Sequence, residues 1–236
     1  YISTARYRTY PAFMQYNNGK YKKMSYGKFR EDVLSLGVEM YSRGYAGKKI
    51  VILGNNSYYW STTFMAVVCG VGVAVPVSKN ISPRDLAIFV RHCGASVVMY
   101  SESYAKTVMD AALNKRIKQI SFKRLPSWIA KGKTKLNGGE TDYIRAKINE
   151  NEAAVIFYDK FSDGIPKGVI LSHRNLCFAA EQMCKSVKIT SNDVFLSVLP
   201  LSHSFELTCG FLAPFKSGAC IAYARSLRKL TTDARA

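Results

Sequence analysis

Tyr158-Asp-Lys-Phe-Ser-Asp-Gly-Ile-Pro-Lys-Gly-Val-Ile-Leu-Ser-His-Arg-Asn-Leu176 is the stretch on which the reading of this chain turns. The residues before it, Ala153 to Phe157, form an apolar run that predicts a buried strand. A glycine-rich turn directly after a buried strand can aim several backbone N–H groups into one concavity. Such a nest binds phosphate oxygens, and a nearby lysine adds a point charge. Gly164 and Gly168 let the backbone approach an anion without a Cβ in the way, Lys167 supplies the charge and Pro166 stiffens the turn. The pattern is not a Walker loop, in which Ser or Thr follows Gly-Lys. A purely structural turn is the alternative reading of the same residues.

Outward from this turn, Val169 to Leu171 predicts a second short strand. A helix follows from near Ser172 to Asn175 and carries Leu176, Ala180 and Met183. Val194 to Leu199 reads as a strand ending at Pro200. Phe205 to Phe215 reads as a helix ended by Gly218, and Cys220 to Tyr223 as a further strand.

Towards the N-terminus, Phe13 to Tyr16, Asn17-Asn18-Gly19 and Tyr21 predict a hairpin with an Asn-Gly turn. Ser25 caps a helix with Phe29, Val33, Leu36 and Met40 at helical spacing, and Gly44 fits its end. Lys49 to Leu53 is a strand, Ser57 to about Gly70 a helix, and Val73 to Pro76 a strand. Ser82-Pro83 opens a helix with Leu86, Phe89 and Val90 on one face that stops near Gly94; Ser96 to Tyr100 is the next strand. This strand–helix alternation predicts an α/β fold with a mostly parallel sheet. From about 115 to 151 the pattern breaks down among Lys, Gly and Asn, which predicts a basic surface connection of low regularity. The sheet reads as unfinished at Ala236.

A second candidate site is Leu199-Pro-Leu-Ser-His-Ser-Phe-Glu206, a loop between a predicted strand and a predicted helix. His203 is its titratable centre. A lone loop histidine serves either as a hydrogen-bonding support or as part of a site. Phe205, Leu207 and Phe211 around it suit a long apolar ligand, or pack in the core.

The chain has 236 residues with 34 Lys and Arg against 16 Asp and Glu, a net charge of +18. Such a field attracts polyanions, including nucleotides, CoA and anionic membrane surfaces, or is a solvated basic surface with no partner. No finger, heptad-linked basic region or aromatic RNA-binding signature accompanies it, so specific nucleic-acid binding is not expected. The six cysteines show no Cys-x-x-Cys spacing, which leaves no zinc or redox motif. They read as reduced core residues of a cytoplasmic protein. The longest apolar run, Phe64 to Val77, is broken by Gly70, Gly72 and Pro76, whereas a bilayer-spanning helix takes about 20 residues.

At Gly164, Pro166, Lys167, Gly168, Ser172, His173, Asn175 and Leu176 the opening stretch resembles the phosphate-loop segment of the adenylate-forming superfamily. That segment usually reads Thr-Ser-Gly-Thr-Thr-Gly-x-Pro-Lys-Gly, then an apolar strand, Ser-His and a helix. Asp159, Lys160 and Phe161 stand here where the family has Thr, Ser and Gly; Ser162 keeps a hydroxyl and Asp163 replaces the next Thr. Two carboxylates beside a triphosphate repel it by about 1 to 4 kcal/mol per contact at surface dielectrics. Lys160 offsets part of that. The run from Leu199 to Glu206 matches the family's second hallmark without a gap. Weaker similarities extend through Asn18-Gly19, Ser25-Tyr26, Val51-Ile52 and Ala74-Val75-Pro76.

The resemblance is to the N-terminal part of a bacterial long-chain fatty acid–CoA ligase. It implies an incomplete N-terminal domain of an AMP-forming acyl-CoA synthetase, without the C-terminal domain. Such enzymes take a fatty acid or other carboxylic acid, ATP with Mg, and CoA. By this resemblance Ser162, Gly164, Lys167 and Gly168 bind nucleotide phosphate, His203 shapes the acyl pocket as the catalytic residue, and Glu206 supports the loop. No metal ligand is implied among these residues. The family's adenine-stacking, ribose-binding and hinge motifs and its catalytic lysine lie later in family chains, so this chain alone is expected to be inactive. A non-catalytic pseudo-enzyme, or a basic anion- or lipid-binding protein on the same fold with peripheral contact to anionic membranes, is the alternative.

Overall fold

The computed structural model describes residues 2–17, 19–158, 166–225 and 229–233. Its strands among these are β1 (Pro11–Asn17), β2 (Lys20–Ser25), β3 (Lys48–Leu53), β4 (Gly72–Val77), β5 (Val97–Tyr100), β6 (Lys118–Ser121), β7 (Ala153–Tyr158), β8 (Gly168–Ser172), β9 (Val194–Ser197) and β10 (Cys220–Tyr223). Its α-helices are α1 (Ile2–Arg6), α2 (Tyr26–Ser42), α3 (Tyr58–Ala66), α4 (Pro83–Cys93), α5 (Ala105–Asp110), α6 (Leu125–Asn137), α7 (Asp142–Arg145), α8 (His173–Ser186), α9 (Ala213–Ser217) and α10 (Leu230–Asp233). The chain divides into two compact units: Tyr1–Glu31, Asn56–Tyr58 and Asn175–Ala236 form the first, Asp32–Asn55 and Tyr59–Arg174 the second.

The first unit holds a sheet of order β2-β1-β10-β9. β1 and β2 are antiparallel, with Tyr16 opposite Tyr21 and Asn17 opposite Lys20. The expected hairpin is therefore present, while Asn18 of its turn lies outside the described residues. β10 runs parallel to β1 on one side and to β9 on the other. Phe13 sits at the centre of the aromatic core, 4.6 Å from Phe29 and stacked nearly parallel to Tyr223 at 5.8 Å between ring centroids. Buried Tyr26 ties the start of α2 to the end of α9: its hydroxyl donates to the carbonyls of Phe215 at 3.1 Å and Ala219 at 2.7 Å. Ser25 caps α2 as its sequence suggests, its Oγ accepting from the Lys28 amide at 3.2 Å.

The second unit holds a sheet of order β6-β5-β3-β4-β7-β8. Every pairing is parallel except that of β7 with β8. Ile50 to Leu53, Val97 to Met99 and Ala154 to Ile156 are all buried, the near-continuous apolar signature of strands covered on both faces. α4 begins where its sequence predicts. Ser82 Oγ accepts from the Asp85 amide at 3.1 Å, Pro83 opens the helix and Gly94 ends it at φ 64°. Its Leu86, Phe89 and Val90 join Val51, Val75 and Val98 in one core.

Three expectations need correction. Residues 115–151 are not a connection of low regularity: β6 pairs with β5 from Val97 opposite Lys118 to Tyr100 opposite Ser121, and α6 and α7 follow. Leu125, Trp128, Ile129 and Leu136 do follow helical spacing, but Pro126, Gly132 and the lysines between them dilute the signal. The buried apolar residues of this region order because remote partners cover them; Tyr143, for example, donates its hydroxyl to the Ala66 carbonyl at 3.1 Å. The helix expected from Ser57 to Gly70 is α3 followed by a π-helical turn, Val67–Val71, which includes Gly70 at φ 149°. The cysteines are not all core residues. Only Cys93 and Cys220 are buried, and Cys177 is exposed on α8, although all six are unpaired thiols. Among the described residues no helix is long and apolar enough to cross a membrane.

Candidate functional site

The first unit presents the loop that follows β9. Pro200 turns the chain, its carbonyl accepting from the His203 amide at 2.8 Å. The His203 carbonyl then accepts from the Leu207 amide at 3.0 Å, which starts the π-helical turn Glu206–Leu212. The His203 ring is exposed. Its Nδ1 accepts from the Phe205 amide at 3.3 Å, which leaves the hydrogen of a neutral ring on Nε2, facing away from its own turn.

Beneath the loop lies a buried polar brace. Glu206 is only 6% exposed. Its Oε1 accepts from Ser197 Oγ at 2.7 Å, and the amides of Val198 and Leu199 also donate to its carboxyl group. Burial pushes the Glu206 carboxyl above the ordinary carboxylate range, and these three bonds only partly offset that. Gly210, one helical turn on, makes the space: a Cβ there would stand 2.6 Å from the Glu206 carboxylate.

Asn56 completes the brace. Its Nδ2 donates to Ser197 Oγ at 2.8 Å and to the Leu199 carbonyl at 2.7 Å, and its Oδ1 accepts from the Leu201 amide at 2.9 Å. One amide side chain thus ties down three points of the loop, and Ser197 relays from Asn56 to Glu206. Asn56 belongs to neither of the two sequence motifs. Its signal was available in Gly54-Asn55-Asn56 directly after β3, since loop asparagines bond neighbouring backbone through both ends of the amide.

The raised Glu206 carboxyl has a signed consequence. An acid whose folded-state pKa lies above its unfolded value adds stability below the unfolded value and loses it as pH rises through the folded one. Glu206→Gln removes that dependence. The variant's stability relative to the parent chain is therefore expected to increase between about pH 4 and about pH 7. Urea unfolding midpoints at the two pH values test this, and a difference that stays flat excludes it.

The second unit presents the hairpin of β7 and β8, with Tyr158 directly opposite Gly168. The sequence reading expected β8 but not that it would run back along β7. Lys167 is exposed beside the hairpin's last paired residue, and Gly168 packs so closely that a Cβ would stand 3.0 Å from Ile156 Cγ2. Ser162 and Gly164, with Asp159, Lys160, Phe161 and Asp163, lie outside the described residues. Tyr158, where the hairpin loop departs, is held twice. It stacks on Phe89 of α4 at 4.3 Å between ring centroids and 13°, and its hydroxyl bonds His92 Nδ1 at 2.7 Å. Burial pushes the Tyr158 phenol up to about 12. Beyond β8, half-buried His173 opens α8, and its imidazole is held below the usual histidine range by burial despite Glu152 nearby.

The structure therefore brings His203 and Glu206 together in the first unit and sets Lys167 beside Gly168 in the second. Leu207 and Phe211 are core residues of the first unit, Phe211 lying 6.0 Å from Phe13, whereas Phe205 is exposed. Core packing thus takes two of the three apolar residues around His203.

A mostly parallel sheet whose antiparallel edge strand begins at Gly168, directly after Lys167, and a histidine loop braced by a buried carboxylate, define an α/β protein with two motif-bearing segments. The chain belongs to the AMP-binding enzyme family, whose model matches residues 2–235. Long-chain-fatty-acid–CoA ligase ACSBG2 of Homo sapiens is 24% identical over 246 residues, covering 95% of this chain and 36% of that protein. Long chain acyl-CoA synthetase 8 of Arabidopsis thaliana is 39% identical over 86 residues, 36% of this chain and 12% of that one. In fold, the chain is similar to the N-terminal domain of FACL13 from Mycobacterium tuberculosis, with a TM-score of 0.85 at 18% identity. That match covers 98% of this chain and 58% of the solved one. The chain thus spans little more than a third of the length of that human ligase.

Proposed function

We propose that this chain is the N-terminal part of an acyl-CoA synthetase that activates a fatty acid with Mg-ATP and passes it to CoA. The observation that carries the reading is the β7–β8 hairpin, whose Tyr158–Gly168 pairing closes the ends of the loop and sets Lys167 at its exit, in a chain of the AMP-binding family. In the first half-reaction a substrate carboxylate oxygen attacks the α-phosphorus of ATP and pyrophosphate leaves. In the second the CoA thiol attacks the acyl carbon and AMP leaves. Ser162, Gly164, Lys167 and Gly168 would hold the departing phosphates, with the lysine ammonium neutralising charge that builds on them. His203 would border the acyl site, and Glu206 would hold its loop in shape through Ser197. The unpaired thiols suit a reducing compartment, and we place the protein in the cytoplasm.

Calorimetry on the 236-residue chain tests the nucleotide half of this reading. ATP is expected to bind weakly, and Lys167→Ala to weaken it by about tenfold or more, the worth of one charge-assisted phosphate contact. Equal ATP affinity in both proteins would refute the role of Lys167.

The altered first half of the loop favours a second reading, a non-catalytic descendant that keeps the fold. Asp159 and Asp163 put negative charge, and Phe161 bulk, where the family has small neutral residues. Binding of an anionic partner that falls steeply with salt and ignores Lys167→Ala would support that reading instead.

A further inference from the structure

In the second unit, a groove of about 480 Å³ opens between the end of α4 and the segment that joins α5 to β6. Its apolar lining includes Val90, Leu113 and Ile117, residues that belong to or pack against the main core of the unit. Arg91 and Arg116 also line it, and no acidic residue does. Among the described residues neither guanidinium takes part in an ion pair. The groove wall includes Ala112, held at φ 46°. That left-handed backbone is uncommon outside glycine and costs free energy, and such residues gather at ligand clamps.

The combination is specific. A cavity of several hundred cubic ångströms lined by apolar side chains takes an apolar ligand body. The guanidinium forks of exposed Arg91 and Arg116, in no ion pair among the described residues, are available at the groove's rim to bind a carboxylate. The groove is open along one side, so a single extended chain can lie in it with one flank exposed, and the bilayer alternative is left to the vesicle arm of the test. We propose that this groove binds a single-chain aliphatic carboxylate, with the chain along Val90, Leu113 and Ile117 and the head group on Arg91 and Arg116. Its lining includes none of Lys167, Gly168, His203 and Glu206, and the proposal does not rest on the reading of those residues.

Titration calorimetry with dodecanoate tests it, with hexanoate and phosphatidylglycerol vesicles as the comparison arms. Dodecanoate is expected to bind at least about tenfold more tightly than hexanoate, because added methylenes leave water. The double variant Arg91→Gln/Arg116→Gln, changed only at exposed positions, is expected to bind dodecanoate about tenfold less well at an unchanged melting temperature. A dodecanoate analogue carrying a photoactivated diazirine is expected to label residues 87–117 of the parent chain, a readout that needs no variant. Unchanged affinity in the double variant, labelling confined to the segment around Phe205, or binding to the vesicles without binding of dodecanoate would each overturn the proposal.

Discussion

Gly132→Ala is expected to destabilise the second unit by about 4 kcal/mol or more, enough to unfold many domains of ordinary stability. Helix propensity alone predicts the opposite sign, because alanine is favoured over glycine in a helix by about 1 kcal/mol. Tertiary contact reverses it. A Cβ on Gly132 would stand 1.8 Å from the carbonyl oxygen of Ser35 and 2.6 Å from its carbonyl carbon. That obstacle is the backbone of α2, which cannot rotate aside as a side chain can. The helices would have to separate, uncovering Trp128 and Leu125, which α6 buries. The nearby ion pair of Lys135 with Glu39, 3.0 Å apart, would separate as well, leaving Arg43 as the partner of the buried Glu39 carboxylate. Thermal melting of the variant checks this, and a melting temperature equal to or above the parent's would mean the helices do not approach so closely.

Asn56→Ala is expected to cost about 3 kcal/mol and to loosen the His203 loop. Three hydrogen bonds are lost at once, at about 1 kcal/mol each when water can replace the partner and more where it cannot. Ser197 is the buried member, so its hydroxyl loses a donor with no water at hand. The Leu201 amide loses its acceptor, Asn56 Oδ1. Hydrogen exchange at the Leu201 amide is therefore expected to quicken in the variant while exchange in β3 and β5 stays slow. Uniform protection across loop and sheets would show that Asn56 is not what holds the loop. By the proposed function, the same variant should impair handling of the acid more than binding of nucleotide.

Much of the fold is legible in the sequence wherever order is local. The Ser82, Pro83 and Gly94 signals place α4 because caps and a helical start act within one turn. The buried strands β3, β5 and β7 are legible because a strand covered on both faces must be apolar throughout. The region from 115 to 151 is illegible for the converse reason. Its apolar residues are few, the helical spacing of Leu125, Trp128 and Ile129 is diluted by lysines and glycines, and their partners lie far away in the chain, as Ser35 does for Gly132. The two candidate loops were found by motif, and the brace beneath one of them was not. Asn56 is distant in sequence from Ser197, Leu199 and Leu201, so nothing in the sequence spacing links them.

The sequence by itself determined the alternation of strands and helices, the membership of an adenylating family and the residue types at both loops. These rest on local backbone preference and on short contiguous motifs. Only the tertiary structure decided that β8 returns antiparallel to β7, that Glu206 is a buried brace held by Ser197, and that Leu207 and Phe211 are core rather than pocket. Each of these depends on which remote segment covers a residue and removes it from water. Burial and hydrogen-bond partnership across long chain separations are properties of the folded packing, and they carry no fixed spacing that a linear reading can detect.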